Sequence, residues 1–465
     1  MSGVQGYDAV VVGSGPGGYV AALRLAQLGR RTALVERDRL GGECTNYACI
    51  PSKALLHVAK IIDYAERAAK YGLRMRVESI DVDALRKWRD GVVNSLSGGI
   101  KYLCDNYGVE VLQGEARLRG GREVEVRSSG GDSKQLRASS VILATGSTPI
   151  QLRGIEQDGE LVVGSREAMQ LRRIPGRLLI IGGGVVGLEA ATLYSRLGSE
   201  VTIVEMMPQL LPGADQEVAR YIERTLKQRG VKIMTNSKLD KLEKRSGAAV
   251  ATVVTQGGST TVEADEVLVA VGRRPSSEGL ALIGLEMDER GHVKVDAGMR
   301  TNVPGVYAVG DLVGPPYLAH KAMKQGKVAA ENVAGLRSEF DSLVPSVIYS
   351  DPEIAFVGLT EEEARARGQV VVGRFPLSAS GRARTMDETE GFVKVIADAA
   401  DGRILGIHMV GYGVSELAAE AAMSMEFMAT LEDVEAVIHP HPTLSEALME
   451  AVEAARKRSV HIFQK

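Results

Sequence analysis

Two cysteines, Cys44 and Cys49, lie five positions apart in the segment 41–53, which reads GGECTNYACIPSK. In an ideal α-helix, residues with this spacing have Cα atoms about 8–9 Å apart, whereas a disulfide needs less than about 7 Å. If the pair bridges, the segment is therefore a loop or a distorted first helical turn. Pro51 and the glycine pair at 41–42 favour such a start.

Three kinds of site could use this pair: a structural disulfide, a metal site or a redox-active dithiol. The chain has 3 cysteines in 465 residues, which excludes a disulfide-stapled secreted scaffold. No Cys or His lies nearby at the usual zinc spacing, since His57 stands alone, so we predict no metal site. A redox-active dithiol fits the sequence context best. The third cysteine, Cys104, lies on a helical apolar pattern, and we predict that it is part of the core. The other members of this pattern are Leu85, Trp88, Val92, Leu96, Ile100 and Leu103.

Two glycine-rich segments could position a ligand beside these cysteines. Segments 13–18 and 182–187 read GSGPGG and GGGVVG, and each follows a short apolar strand and precedes a helical pattern. Each helical pattern stops at a glycine, and a second strand then ends in an acid, Glu36 in the first copy and Glu205 in the second. The acid follows the first glycine by 23 residues in both copies (13 to 36 and 182 to 205).

Each copy is typical of a βαβ unit that binds a dinucleotide. The glycines permit a tight turn, the helix N-terminus binds the pyrophosphate, and the acid accepts hydrogen bonds from a ribose. The duplication therefore predicts an α/β fold that binds two dinucleotides. Glu205 would repel an adenosine 2′-phosphate, and no basic residue follows it before Arg220, so the second copy is predicted to bind NAD and not NADP.

The composition excludes several other classes of protein. The formal net charge is −3, with 56 Lys and Arg against 59 Asp and Glu, so no global positive field attracts nucleic acid. The longest apolar stretch, 178–188, is much shorter than the ~20 residues that cross a bilayer. The first residues do not form a signal-peptide pattern. We expect a cytoplasmic protein with neither a nucleic-acid nor a membrane partner.

Together these motifs resemble the flavoprotein pyridine nucleotide–disulfide oxidoreductases over essentially the full chain. The cysteine segment matches the pattern GGxCxNxxCIPSK, and five further segments support it. They are ATG at 144–146, the glycine loop at 182–187, VGRRP at 271–275, TNVPGVYAVGD at 301–311 and HPTLSE at 441–446. Within the family, the chain is most similar to members that oxidise dihydrolipoyl groups.

The resemblance implies an α/β fold with two Rossmann-like dinucleotide-binding domains, one for FAD and one for NAD, plus a C-terminal α+β dimerisation domain. The expected boundaries are 1–150 for the FAD-binding domain, 151–275 for the NAD-binding domain, 276–345 for the remainder of the FAD-binding (central) domain, and 346–465 for the interface domain. The resemblance also implies a homodimer whose active site is shared between subunits.

The resemblance further implies which residues bind the two cofactors. The residues expected at FAD are Gly13, Gly15, Gly18, Glu36, Lys53, Ala116, Thr145, Gly146, Asp311 and Ala319. Those expected at NAD are Gly182, Gly184, Gly187, Glu189, Glu205, Gly272 and Arg273. Lys53 is expected near the flavin and paired with Glu189. The segment 318–321 is expected to begin a helix whose positive end faces the flavin.

The catalytic residues that the resemblance implies are Cys44, Cys49, His441 and Glu446. His441 would take a proton from a dihydrolipoyl thiol, and the resulting thiolate would attack Cys44, which leaves Cys49 as a thiolate against the flavin. Electrons would then pass through FAD to NAD⁺. Glu446 would orient His441, although TLSE at 443–446 also matches a helix capping box. The histidines His320 and His439 receive no role.

The implied substrate is dihydrolipoamide or a lipoyl-domain protein. The alternative is that the protein is an NAD-linked reductase, of the same family, that acts on another low-molecular-weight or protein disulfide. Several residues depart from the family pattern, namely Glu43, Tyr47, Ala48, Asp351 and Pro440. Glu43 adds a negative charge before Cys44, which would tend to raise the pKa of that thiol. Asp351 stands where many relatives carry histidine. A non-catalytic nucleotide sensor would need neither the cysteine pair nor HPTLSE.

Overall fold

The computed structural model describes residues 5–120, 122–245 and 247–464, and it confirms the predicted α/β class. The first 150 positions form eleven α-helices and β-strands within the described residues. They are β1 (Gln5–Val12), α1 (Pro16–Gln27), β2 (Thr32–Glu36), α2 (Gly42–Asn46), α3 (Cys49–Arg67), α4 (Val82–Tyr107), β3 (Glu110–Gln113), β4 (Glu115–Gly120), β5 (Glu123–Arg127), β6 (Ser133–Leu143) and β7 (Ser147–Pro149).

Strands β1 to β6 form one sheet in the order β3-β2-β1-β6-β5-β4. At its centre β1 runs parallel to both β2 and β6, with Val10 opposite Ala33 on one side and Val141 on the other. These three residues are fully buried. The C-terminal parts of these strands (residues 9–12, 33–35 and 141–143) are continuous apolar runs, because a parallel sheet is covered on both faces.

The next part of the chain repeats this arrangement. Its elements are β8 (Val162–Val163), α5 (Ser165–Gln170), β9 (Arg177–Ile181), α6 (Val185–Arg196), β10 (Glu200–Val204), α7 (Gln216–Gln228), β11 (Lys232–Met234), β12 (Lys238–Arg245), β13 (Ala248–Thr255), β14 (Gly258–Ala264), β15 (Glu266–Val269) and β16 (Arg273–Pro275). The parallel order β11-β10-β9-β15 corresponds to β3-β2-β1-β6 of the first sheet. Strand β16 pairs with β7, so the chain returns to the first unit at this point.

The following segment completes the first sheet. Strand β17 (Val306–Ala308) pairs in parallel with β6, and helix α8 (Ala319–Val333) packs against α1. Both lie near the start of the chain in space although they are some 300 residues away in sequence. A unit interrupted in sequence therefore surrounds the first glycine loop.

The C-terminal part forms an antiparallel sheet in the order β18-β19-β22-β21-β20, with helices around it. Its elements are β18 (Ser346–Ile348), β19 (Glu353–Gly358), α9 (Glu361–Arg367), β20 (Val370–Pro376), α10 (Gly381–Thr385), β21 (Gly391–Asp398), β22 (Ile404–Gly411), α11 (Val414–Glu426), α12 (Leu431–Glu435) and α13 (Glu446–Ala455). Helix α13 packs on β20 and β21.

Cys104 is fully buried on α4, as the sequence predicts, and burial raises the pKa of its thiol. Of the predicted apolar pattern, Ile100 is also buried and Leu85 and Val92 are partly buried, whereas Trp88, Leu96 and Leu103 are exposed on this chain. The buried face of α4 instead includes Arg89, which donates to the Met169 carbonyl. In the described residues we find no helix with both the length and the apolarity needed to span a bilayer.

Candidate active site

Cys44 and Cys49 form a disulfide at the junction of two helices. Cys44 lies within the short helix α2 and Cys49 is the first residue of α3, and their Cα atoms are 4.7 Å apart. Tyr47 and Ala48 interrupt the helical path between them. The expected distortion at the start of a helix is therefore confirmed, and it brings the two Cα atoms much closer than an uninterrupted helix would allow.

The glycine pair before the cysteines is required by close contacts. Gly41 has φ 95°, and a Cβ on it would lie 2.6 Å from the Thr45 side chain. Gly42 has φ 59°, and a Cβ on it would lie 2.6 Å from the Cα of Gly15. Only glycine combines this backbone conformation with this approach. The redox segment is thereby packed directly against the first glycine loop.

Within that loop, the glycines have two different functions. A Cβ on Gly18 would lie 1.8 Å from the carbonyl oxygen of Gly13, so Gly18 allows the helix to pack against the strand. A Cβ on Gly15 would meet no protein atom within 4 Å. The Glu36 carboxylate accepts hydrogen bonds from the backbone N–H of Ser14 at 2.8 Å and from its hydroxyl at 2.6 Å.

The second loop repeats these relationships. A Cβ on Gly187 would lie 2.0 Å from the carbonyl oxygen of Gly182, whereas one on Gly184 would meet nothing within 4 Å. Glu205 accepts a hydrogen bond from the N–H of Gly183 at 2.6 Å. Each loop thus leaves open space at a helix N-terminus, which is the cradle that a pyrophosphate requires. The residues present therefore fit two dinucleotides.

Both loops and the disulfide line one cavity of about 1710 Å³. Most of the residues predicted to bind the cofactors lie along it. These are Gly13, Gly15, Glu36, Lys53, Ala116, Thr145, Gly146, Gly182, Gly184, Glu189, Glu205, Gly272, Arg273, Asp311 and Ala319, together with Cys44 and Cys49. Gly18 and Gly187 do not line the cavity, because they pack against the backbone of their own loops. His441 and Glu446 do not line it either.

Lys53 and Glu189 form the expected ion pair between α3 and α6. The Lys53 ammonium donates to both carboxylate oxygens of Glu189, at 2.8 and 2.9 Å. A third residue, Tyr349, donates its backbone N–H to the same carboxylate at 3.1 Å, and its ring centroid lies 4.8 Å from the Lys53 ammonium. The sequence motifs do not point to Tyr349, because it comes from the C-terminal part of the chain.

Asp311 and Arg273 are linked through Ser147. The Ser147 hydroxyl donates to the Asp311 carboxylate at 2.6 Å, while Arg273 donates to the hydroxyl and the carbonyl oxygen of Ser147, both at 2.8 Å. Arg273 lies on β16, and Ser147 lies on its partner strand β7. Ala319 is the first residue of α8, so the helix begins where the sequence predicts.

Glu43 has ion-pair partners that the sequence does not reveal. Its Oε2 accepts from Nε of Arg166 at 2.8 Å and from a second nitrogen of that guanidinium, and its Oε1 lies 3.7 Å from Nη1 of Arg273. The guanidinium of Arg166 also stacks over the Tyr47 ring at 4.2 Å. Two arginines therefore lie against the Glu43 carboxylate and offset part of the negative charge that it places beside Cys44.

His441 and Glu446 form a hydrogen-bonded pair at the start of α13, with Nδ1 and Oε1 2.8 Å apart. The Thr443 N–H donates to the second carboxylate oxygen at 2.7 Å. Burial opposes ionisation of Glu446, but these two contacts outweigh it and hold its pKa below the ordinary value. The suggested capping box does not form, because α13 begins at Glu446 itself and the Thr443 hydroxyl donates to Pro440.

The His441 side chain is 77% exposed and does not line the cavity that contains the Cys44–Cys49 disulfide. His439 and His320, for which the resemblance implies no role, have local partners. His439 contacts Glu420 at 2.8 Å, and His320 contacts the carbonyl oxygen of Pro345 at 2.7 Å. Both are accounted for as structural residues by these contacts.

The sequence matches two family models. Residues 7–326 match the model described as pyridine nucleotide-disulphide oxidoreductase, and residues 344–452 match its dimerisation domain, which supports a homodimer. Among curated proteins, the chain is 50% identical to a dihydrolipoyl dehydrogenase of Thermus scotoductus, with 99% of each chain covered. It is 40% identical to a dihydrolipoyl dehydrogenase of Bacillus subtilis, with 98% of this chain and 97% of that protein covered.

Two solved structures share the whole architecture. LpdA from Mycobacterium tuberculosis superposes with a TM-score of 0.89 at 27% identity, covering 98% of this chain and 99% of that one. The HOCl-induced flavoprotein disulfide reductase RclA from Escherichia coli superposes with a TM-score of 0.85 at 27% identity, covering 96% and 99%. The similarity therefore extends over the nucleotide-binding units and the C-terminal sheet.

Proposed function

Because this chain belongs to the pyridine nucleotide–disulphide oxidoreductase family, we propose that it oxidises dihydrolipoyl groups to the disulfide and passes the electrons to NAD⁺. The protein is an oxidoreductase, and the cofactors of its family are FAD and NAD. The observation that carries the proposal is the Cys44–Cys49 disulfide in a cavity shared with both glycine loops. The reaction requires a disulfide that a dithiol can reduce, next to binding sites for two dinucleotides.

The two glycine loops would hold the pyrophosphates of FAD and NAD, with Glu36 and Glu205 at the adenosine riboses. When bound, the two cofactors supply the two-electron chemistry that links a dithiol to a hydride acceptor. Lys53 and Glu189 would lie where the flavin and nicotinamide meet. Their mutual ion pair keeps a partly buried ammonium compensated, since an unpaired charge there would be costly.

The thiol steps belong to the residues of the chain. Nε2 of His441 takes a proton from one substrate thiol, and the thiolate attacks Sγ of Cys44. The Cys44–Cys49 bond breaks and Cys49 leaves as a thiolate. The second substrate thiol attacks the substrate sulfur of the mixed disulfide, and its proton passes to Cys44, which leaves as a thiol. The substrate dithiol is thereby oxidised by two electrons, and the cysteine pair is reduced by two.

We further propose that His441 of one protomer acts on the disulfide of its partner. Two observations support this: His441 is exposed on its own chain, and it is absent from the lining of its own chain's cavity. The domain boundaries at 150, 275 and 345, a lipoyl-domain protein as the physiological partner and a cytoplasmic location are parts of the same proposal.

The deciding experiment compares the purified protein with the variant Cys49→Ser. Dihydrolipoamide is assayed with NAD⁺ or NADP⁺, and glutathione disulfide and CoA disulfide are assayed with NADH or NADPH. We expect turnover with dihydrolipoamide and NAD⁺ only, together with a long-wavelength charge-transfer absorbance when a dithiol is added. The variant should lose both, because no thiolate remains against the flavin. A protein that binds no FAD, or that prefers another disulfide, would contradict the proposal.

A further inference from the structure

Residues 349–351 contact helices α3 and α6 at two places along the helix axes, which we call the first and the second level. At the first level, Lys53 of α3 pairs with Glu189 of α6. Seven residues further along each helix, Lys60 and Arg196 form the second level, and both contact Asp351, at 3.2 and 3.4 Å. Seven residues are about two helical turns, so both levels lie on the same helix faces.

Tyr349 contacts both members of the first level. Its backbone N–H donates to Oε1 of Glu189, which also accepts from Lys53, so two donors fix this carboxylate. Its ring covers the Lys53 ammonium, with the centroid 4.8 Å from Nζ. An ammonium at this distance from an aromatic face is attracted by the ring quadrupole. Tyr349 thus restrains both position and direction of the Lys53 side chain.

The surroundings of Tyr349 favour a fixed and neutral ring. The ring is partly buried and packs against the core cluster that includes α3 and α6. Burial raises the pKa of the phenol, and the neighbouring carboxylates Glu353, Glu416 and Glu189 raise it further. Asp351 anchors the other end of the segment, since Arg229 also binds its carboxylate at 2.8 Å.

We propose that Tyr349 is a positioning residue for the reaction, which holds the Lys53 ammonium toward the flavin through its aromatic face. This inference rests on the proposed function. The C-terminal part of the chain, through this one side chain, would then influence the charge next to the redox-active ring. The hydroxyl group has no part in the effect, whereas the ring is essential to it.

The test uses the FAD-loaded dimer and the variants Tyr349→Leu, Tyr349→Met and Tyr349→Phe. The Leu and Met variants keep the backbone N–H and an apolar side chain but lose the aromatic face. We expect kcat for dihydrolipoamide oxidation to fall about 2- to 30-fold in both, the range that one cation–π contact supports. The charge-transfer absorbance after dithiol reduction should weaken, while KM for dihydrolipoamide and the flavin content stay unchanged. The Phe variant keeps the aromatic face and should therefore retain the wild-type kcat and charge-transfer absorbance.

Three results would overturn the inference. One is a Leu variant with wild-type kcat and absorbance, and another is a Phe variant as impaired as the Leu variant. The third is loss of FAD from both the Leu and Met variants, because the ring would then be a requirement of folding. These results are distinct from a failure of the proposed function, which would appear as a wild-type protein without any dithiol-dependent absorbance.

Discussion

The Glu446 carboxylate fixes the tautomer of His441. Because an ionised carboxylate can only accept hydrogen bonds, Nδ1 of His441 must be the donor across their 2.8 Å contact. The neutral ring then has its lone pair on Nε2, the nitrogen that Glu446 does not contact. The ring that we propose as the general base is thereby oriented before substrate arrives.

The first prediction concerns this base. We expect His441→Gln to slow dihydrolipoamide oxidation by about 10²- to 10⁴-fold, because the substrate thiol loses its proton acceptor. Stopped-flow reduction of the cysteine pair by dihydrolipoamide measures the step directly. Reduction of an artificial dye by NADH should be unchanged, since it needs no thiol exchange. A variant that oxidises dihydrolipoamide at the wild-type rate would show that another group is the base.

The second prediction concerns the sharing of the site between subunits. A dimer containing one Cys49→Ser chain and one His441→Gln chain has one complete site if His441 acts on the partner's disulfide, and none if it acts within its own chain. Random pairing of equal amounts should therefore recover about one quarter of wild-type activity. The measurement is dihydrolipoamide oxidation by co-expressed chains, with each variant alone as the control. Activity no higher than in those controls would exclude a shared site.

The third prediction distinguishes glycines that leave room for a ligand from glycines that allow the helix to pack against the backbone of the loop. Gly184→Ala should fold normally, since its Cβ meets no protein atom within 4 Å, but it should raise KM for NAD⁺ by filling the pyrophosphate cradle. Gly187→Ala is the matched control, because its Cβ would lie 2.0 Å from a backbone oxygen. It should lower the thermal unfolding temperature. Equal effects of the two variants on KM and on unfolding would contradict this assignment.

The fourth prediction concerns acid stability. Burial opposes ionisation of Asp351, but Arg229, Lys60 and Arg196 outweigh it and lower its pKa. A lowered pKa means that the ionised form stabilises the fold above the ordinary Asp range, and this contribution is lost as pH falls through the lower folded value. Asp351→Asn should therefore cost about 3 kcal/mol of unfolding free energy at pH 7.

Denaturant unfolding of the FAD-loaded protein at pH 7 and in acid checks this effect. The difference between wild type and Asp351→Asn should shrink in acid, where the wild-type carboxyl itself becomes protonated. Glu390→Gln is a suitable control, because Glu390 pairs with the same Arg229 but its side chain is 51% exposed. It should cost at most about 1 kcal/mol. A pH-independent loss in Asp351→Asn would argue against the ionic contribution.

Local motifs were sufficient to predict the glycine loops, their strands and the break at the cysteines, because each is determined by residues within a short segment. The partners of Glu43 and Asp351 could not be predicted in this way. Arg166 lies 123 positions from Glu43, and no spacing rule relates them. Similarly, the apolar pattern of α4 identified buried Cys104 but did not reveal that Trp88 is exposed on a single chain. Such contacts depend on how separate elements pack.

The burial of Cys104 has a practical consequence for work with this protein. Since Cys44 and Cys49 are joined to each other, the folded oxidised chain offers no accessible thiol to an alkylating reagent among its described residues. After reduction, Cys44 and Cys49 become the sites open to labelling, while Cys104 stays buried. The mass added by such a reagent therefore reports the oxidation state of the Cys44–Cys49 pair without any engineered cysteine.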